Sequence, residues 1–382
     1  MWTAGLAEGM KGVSLLRAFH PMSIVRHFPR NYADARARFL EAARDAGATV
    51  TSYQNPLRGP DGEKLFTDVG WWGPVDAERI LMTISATHGV EGFCGALCQI
   101  AWFAEGLVRE LPRGIALAAV HAINPHGFAW LRRVTEDNVD LNRNFVDHTK
   151  PYPVNAGYEA LADAIAPAEW TPASRAAAQA KLDAYAAQHG TRALQAAISS
   201  GQYSHPLGLF FGGHAPTWSH RTLLAILDRF CARARHVAVI DFHTGLGPYG
   251  HGEIIGALPA NSEGFRRIRE WLSGEVTSPE LGDSASAPLY GINQPGMAAR
   301  VPHAAFSGIA IEYGVRPLDE TLNALRADNW LHVHGDLDSA EAREIKAEMR
   351  RVFYGDTDAW KTMVWERAVD VTRRMLKGLA DT

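Results

Sequence analysis

Residues 79–95 read RILMTISATHGVEGFCG. The first six, Arg79 to Ile84, form an apolar run without alternation, the pattern of a strand buried on both faces in a parallel sheet. The chain then presents His88 and Glu91, three residues apart among glycines. Helical spacing would place that pair on one face, but Gly89 and Gly92 argue against a helix, so a loop is expected to hold it. Loops at strand ends are where binding and catalytic groups concentrate.

The same alternation of strand and helix signals recurs along the chain. NYADARARFLEAARDAGATV (31–50) carries alanine and apolar positions at helical spacing, with Gly47 as a stop. NPLRGPDGEK (55–64) is a turn between strands expected at 49–54 and 65–71. A strand at 79–86 precedes a helix from about Gly92 to Arg109, and GIALAAVHAI (114–123) is a strand that stops at NPHG. Further on, RTLLAILDRFCARA (221–234) reads as helix, while HVAVIDF (236–242) and GIAIEY (308–313) read as strands. The stretch from about Ser339 to Lys377 reads as amphipathic helix. This is an α/β chain, expected to build a three-layer α/β/α arrangement around a mostly parallel mixed sheet. Residues 1–20 read as a weakly ordered extension, and 21–382 as a single domain. Within it, about 146–213 form an alanine-rich helical insertion followed by a glycine- and aromatic-rich loop suited to covering a site.

Composition narrows the function. Thirty-eight basic and 42 acidic side chains in 382 residues give a net charge of −4, so there is no electrostatic case for nucleic acid or an anionic membrane as partner. No segment is apolar for long enough to span a bilayer, and the first residues lack a secretory signal's compact apolar run and small-residue cleavage site. Cys94, Cys98 and Cys231 cannot form a disulfide framework, and Cys94 and Cys98 read as small buried residues rather than ligands. A reduced, cytoplasmic protein is expected. The sequence carries no signature of an oligomeric state. No G-x-S-x-G elbow is present to support a serine hydrolase, and no G-x-G-x-x-G fingerprint of a dinucleotide enzyme is expected.

Polar clusters follow each expected parallel strand. His88 and Glu91 follow the first, and NPHGFAWLRRVTEDNVDLNRNF (124–145) follows the second with Arg132, Arg133, Asn142 and Arg143. Asp241 and His243 follow 236–240, and Glu312 ends the strand at 308–311. Open α/β sheets bind ligands at the carboxyl ends of their strands, so parallel neighbours would bring all four clusters to one rim. Two histidines and a glutamate with a fourth position for water make a catalytic zinc site. One Zn²⁺ per chain is expected at His88, Glu91 and His243, with Asp241 placed to orient a ligand from behind. Glu312 can take a proton from the zinc-bound water, an arginine can stabilise the oxyanion, and Asn142 with Arg143 can grip a carboxylate.

These residues resemble the carboxypeptidase A superfamily of zinc metallocarboxypeptidases, which includes the aspartoacylase and succinylglutamate desuccinylase deacylases. The resemblance covers roughly residues 75–145 and 236–315. It rests on His88-Gly-Val-Glu91, Asn124-Pro-His-Gly127, Arg133, Asp140-Leu-Asn142-Arg143-Asn-Phe145, His243 and Glu312 in that order. It implies zinc at His88, Glu91 and His243, carboxylate binding by Asn142 and Arg143, and Glu312 as general base. It implies the oxyanion role for Arg133 in preference to Arg132, because bacterial relatives place that arginine seven residues before the aspartate. It also implies a mobile substrate-binding tyrosine about twenty residues before the glutamate, a spacing that Tyr290 fits. THGVEG and DFHTG resemble the deacylase branch more closely, Thr135 stands where many peptidases have asparagine, and the insertion matches no substrate-recognition module. The expected activity is zinc-dependent hydrolysis of an amide in a small peptide. An N-acyl amino acid deacylase is the alternative, and a catalytically inactive ligand-binding relative a lesser one.

Other candidates read as structural. His121 and His126 fall on no position of the pattern, and His332 and His334 of LHVHGD alternate as in a strand without a carboxylate partner. His205, His214 and His251 sit in glycine-rich loops open to a place in the cleft wall. Tyr203, Phe210, Phe211 and Trp218 suit either the core or a substrate wall.

Overall fold

Seven strands in the computed structural model, which describes residues 24–382, form one sheet. They are β1 (Thr49–Arg58), β2 (Lys64–Trp72), β3 (Arg79–Ile84), β4 (Ile115–His121), β5 (His236–Tyr249), β6 (Gly252–Ile255) and β7 (Ala305–Gly314). The extension expected over residues 1–20 lies outside the described residues. The strand order is β1-β2-β4-β3-β5-β7-β6. The apolar run of β3 pairs in parallel with β4 on one side and β5 on the other, and β5 pairs in parallel with β7. These four strands end at one rim. β1, β2 and β6 are added antiparallel at the edges. β6 has no counterpart among the strands expected from sequence.

Successive residues of a strand point to opposite faces, and β2 shows what covers each. Trp72 Nε1 donates to Ala46 O just beyond helix α1 (Tyr32–Asp45), while Trp71 stacks 5.5 Å from Phe230 at the end of a helix on the other face. Helix α1 is capped by Asn31, which accepts from Asp34 N, and Gly47 beyond it takes φ +85°. Helix α2 (Gly92–Ala104) packs beside α1, and the short α3 (Pro125–Ala129) follows β4. The insertion supplies α4 (Ala156–Ile165), α5 (Pro172–His189) and α6 (Thr191–Ser199). Then come α7 (Trp218–Phe230), which carries Phe230, α8 (Glu263–Trp271) and α9 (Asn293–Arg300).

The last three helices are α10 (Leu318–His334), α11 (Ala340–Phe353) and α12 (Asp358–Ala380). The single helix expected over 339–377 is thus two. Tyr354 is extended, Thr357 caps α12 by accepting from Trp360 N, and Gly355 lies so close to the Trp360 ring that a Cβ there would approach it to 2.5 Å. His332 and His334 also depart from expectation, since they end a helix begun at Leu318 rather than alternate along a strand. Insertion residues Tyr158, Leu161, Leu182 and Ile198 share a core with Leu325, Met349 and Phe353, so the insertion is packed onto α10 and α11.

One further expectation is corrected. Gly245, Gly247 and Gly250 do have the G-x-G-x-x-G spacing, in GLGPYG. They close β5 and turn into the antiparallel β6, so no helix N-terminus stands there to receive a pyrophosphate. All three cysteines are free and buried, and no helix among the described residues is long and apolar enough to cross a membrane.

Candidate metal centre and cleft

The ends of β3 and β4 are laced together before the chemistry begins. Ser85 Oγ accepts from Ala122 N (3.0 Å), Ile123 N donates to Ser85 O (3.0 Å) and Asn124 N to Ala86 O (3.1 Å). Ala86 and Ala122 both adopt left-handed backbone, φ +59° and +55°, at a cost of roughly 1–2 kcal/mol each. The chain after β4 then lies directly on the turn that follows β3. Gly89 N donates to Arg133 O (3.1 Å) and Val90 N to Arg132 O (2.8 Å). A Cβ on Gly89 would stand 2.0 Å from the Gly127 carbonyl carbon, and one on Gly92 2.5 Å from the Phe128 ring. These glycines therefore permit close approach and do not break a helix: Gly89–Glu91 is a 3₁₀ turn and α2 starts at Gly92.

This turn brings His88 and Glu91 against His243 from β5, all three buried. His88 Nδ1 lies 2.9 Å from Glu91 Oε1, His243 Nδ1 lies 3.1 Å from Glu91 Oε2, and the two Nδ1 atoms are 3.3 Å apart. Each imidazole is held from behind at Nε2: His243 by Asp241 Oδ2 (3.0 Å) and His88 by Asp140 Oδ1 (3.3 Å). At His243 the carboxylate fixes the proton on Nε2 and leaves the Nδ1 lone pair facing inward; at His88, where Arg133 Nη2 also faces Nε2, ligation through Nδ1 would place the proton on Nε2 in the same way. Burial opposes charge on Glu91 and His243, yet the histidines hold Glu91 below the usual carboxylate range, while Asp241 and Glu91 raise His243 well above an ordinary histidine.

The donor set fits a zinc ion. Tetrahedral bonds of about 2.0–2.1 Å place two ligand atoms about 3.3 Å from one another, which the facing Nδ1 atoms match. Asp241 is itself pinned by Thr87 Oγ1 (2.8 Å) and Asn293 Nδ2 (2.7 Å). Replacing it by Asn removes the negative charge and one of the two oxygens shared by His243, Thr87 and Asn293, so the His243 tautomer is held less firmly. Asp241→Asn is expected to weaken zinc binding about 10–100-fold with little change in fold, as read by competition with a chromogenic chelator.

A cleft opens on this cluster. Glu312 and Arg133 line it, as do Asn142 and Arg143. Glu312 Oε1 accepts from Leu246 N (3.1 Å). Burial and the Glu91 carboxylate push its carboxyl up to about 8, while His243 and Arg133 pull the other way. A cation at the three ligands would act in the same sense as His243. Arg133 places Nε 2.9 Å from Asp140 Oδ2, Nη1 3.3 Å from Glu91 Oε1 and Nη2 2.8 Å from His88 Nε2. Arg132 turns away, donating to Asp328 Oδ2 (3.1 Å) and Asn138 Oδ1 (3.0 Å) outside the cleft.

Arg143 is tied down. Nε (3.0 Å) and Nη2 (2.6 Å) donate to Ser199 O at the end of α6, and Nη1 to Asn142 O (2.8 Å). Burial pushes its guanidinium down to about 10 despite Asp140 nearby. Asn142 Oδ1 accepts from Asn293 N (2.9 Å). Tyr290 is not in the cleft wall: it is 42% exposed, and its neighbours Leu289 and Ile292 face inward instead.

Other candidates fall outside the cleft. His121 is buried against Phe39, its pKa pushed down to about 4, and His332 accepts from Lys346 Nζ (2.7 Å). His205 pairs with Glu159, His214 with Tyr203 O, and neither these nor His251 line it. Of the aromatic set, Phe210 does. Asp140, Asn293 and Gln294 carried no site role in the sequence reading. Asp140 had a signal, its place in the D-x-N-R run, whereas the other two are brought in only by the tertiary fold.

A model of the family described as "Protein of unknown function (DUF2817)" matches residues 28–367. The chain belongs to that family. No curated protein matches it in sequence. Among solved structures it is similar to thrombin activatable fibrinolysis inhibitor, at 9% identity and a TM-score of 0.52 over 94% of this chain and 81% of that one. It is also similar to carboxypeptidase A from Helicoverpa armigera, at 13% identity and a TM-score of 0.45 over 85% and 74% of the two chains. This DUF2817 member therefore has a carboxypeptidase-like fold, with a His–Glu–His group able to hold a metal at the rim where its parallel strands end.

Proposed function

We propose that the protein hydrolyses an amide bond in a small carboxylate-bearing substrate, with zinc held by His88, Glu91 and His243. The observation that carries this reading is the convergence of two imidazole Nδ1 atoms and a carboxylate, each imidazole fixed from behind by an aspartate, in a cleft shared with Glu312 and Arg133. Zinc in such a site polarises a carbonyl oxygen and lowers the pKa of water towards about 7. Glu312 takes the proton from the attacking water and returns it to the leaving nitrogen. Its bond from Leu246 N holds one carboxyl oxygen and leaves the other for that transfer.

Arg133 stabilises the developing oxyanion. With Nε2 of His88 protonated, its 2.8 Å contact with Arg133 sets donor against donor, so ligation through Nδ1 favours turning that guanidinium end to the cleft. Asn142 and Arg143 receive the substrate carboxylate. After the bonds to Ser199 O and Asn142 O, Arg143 retains one N–H on each terminal nitrogen for it. Arg143→Ala is therefore expected to raise KM for carboxylate-bearing substrates about 10–100-fold and to change it little for their amidated analogues. Equal losses on both would remove this assignment.

The THGVEG and DFHTG stretches favour an N-acyl amino acid as the second form of substrate. The zinc-loaded protein, given short peptides and N-acyl amino acids, separates the two by mass spectrometry of the products. Loss of single C-terminal residues identifies a carboxypeptidase, and release of free amino acid from acyl conjugates a deacylase. With zinc bound, release from neither class would sink the hydrolase reading.

A further inference from the structure

The cleft continues past Glu312 along β7. Glu312, Ala310 and Gly308 alternate on that strand and so share one face. At about 3.3 Å per residue, the run from Glu312 to Gly308 spans roughly 13 Å. Ala310 leaves room above the sheet, and the space above Gly308 is taken by the Gln294 and Phe306 side chains. Ile255, opposite Ala310 on β6, closes one side, and Ala287 and Leu289 also line the cleft. None of these walls carries a charge.

Gln294, in the first turn of α9, sits over the far end of this run. A Cβ on Gly308 would stand 2.8 Å from Gln294 Oε1. Gln294 lines the cleft, is 1% exposed, and its Oε1 is buried with no hydrogen-bond partner among the described residues. Buried polar atoms in native proteins are nearly always paired, so an orphan in a side chain that lines a cavity calls for a partner. The preceding residue shows that the helix start is firmly held: Asn293 N donates to Asn142 Oδ1 and its Nδ2 to Asp241 Oδ2.

We infer that Gln294 determines specificity in the hydrolysis proposed above, on which this inference rests. The pocket takes a substrate side chain with an apolar stem and a neutral hydrogen-bonding tip, a carboxamide. The stem packs on Ile255, Ala310 and Leu289. The tip meets the Gln294 amide, whose donor and acceptor complement another amide's. An ionised tip would lose its hydration with no opposite charge on these walls to replace it.

The test uses N-acetylglycyl dipeptides ending in glutamine, methionine, glutamate or lysine, the first three close in length and shape. Calorimetric titration of the zinc-loaded Glu312→Gln protein reads binding apart from turnover. The glutamine peptide is expected to bind at least about tenfold more tightly than the methionine and glutamate peptides. Adding the volume-conserving Gln294→Met should abolish or reverse the glutamine–methionine order, and Gln294→Glu should favour the lysine peptide. Equal binding of the methionine peptide, an order unchanged by Gln294→Met, or no binding of the glutamine peptide would overturn the inference. Amino acid release by the unsubstituted protein tests the hydrolase reading separately. Release without the glutamine preference sinks only the pocket assignment, and the preference without release from any substrate sinks the hydrolase reading and leaves Gln294 as a determinant of binding alone.

Discussion

Glu312→Gln is expected to leave zinc content unchanged and to lower kcat about 10²–10⁴-fold. The substitution keeps the size and one carbonyl oxygen of the side chain, so the bond from Leu246 N (3.1 Å) can persist. It removes the only property a general base needs, an oxygen able to take and return a proton. Glu312 is not one of the three facing ligand side chains, so metal analysis and activity should separate. They are read on one sample, by atomic emission for zinc and by product release for turnover. Full activity in a zinc-loaded Glu312→Gln protein would show that another group moves the proton.

His243→Ala should give the opposite pattern, losing the metal and the activity together. It deletes one of two inward Nδ1 atoms and leaves Glu91 Oε2 with only the Thr244 amide, 3.0 Å away. The loss of zinc affinity should exceed the roughly 10–100-fold expected of Asp241→Asn, which only disturbs a ligand from behind. Thermal unfolding checks this without an assay of turnover. A ligand at a hundred times its Kd stabilises the folded state by about 2.7 kcal/mol, so zinc should raise the Tm of the parent protein and not that of His243→Ala. Wild-type zinc retention in the variant would mean that the histidine is not a ligand.

The parallel centre of the sheet was legible because β3, β4, β5 and β7 each contain a run of apolar residues without alternation, Ile80–Met82, Ile115–Val120, Val237–Ile240 and Ile309–Ile311, the mark of burial on both faces. β6 escaped notice because Gly252-Glu-Ile-Ile255 is too short to show a period. The break between α11 and α12 was hidden because apolar spacing resumes after only four residues. LHVHGD misled because a local alternation was read alone, while the helix containing it is set from Leu318 onward. At the site, residues just after strands could be gathered by topology alone. Ser199 O, which holds Arg143 from 56 positions away, and Gln294, brought in by α9, leave no trace in local pattern. Tyr290 shows the converse, since its spacing fits while its side chain stands at the surface.

The tie between Arg143 and the end of α6 bears on how this family can diversify. Arg143 has a side chain only 3% exposed, and three of its bonds end on main-chain carbonyls, two of them on Ser199 O. A recombinant that exchanges residues 146–213 for an unrelated segment removes that carbonyl and strands a buried cation. The insertion and the arginine are therefore expected to change together. The exposed surface of α5 should tolerate substitution, whereas a graft should fold only when it carries a backbone acceptor to the same place.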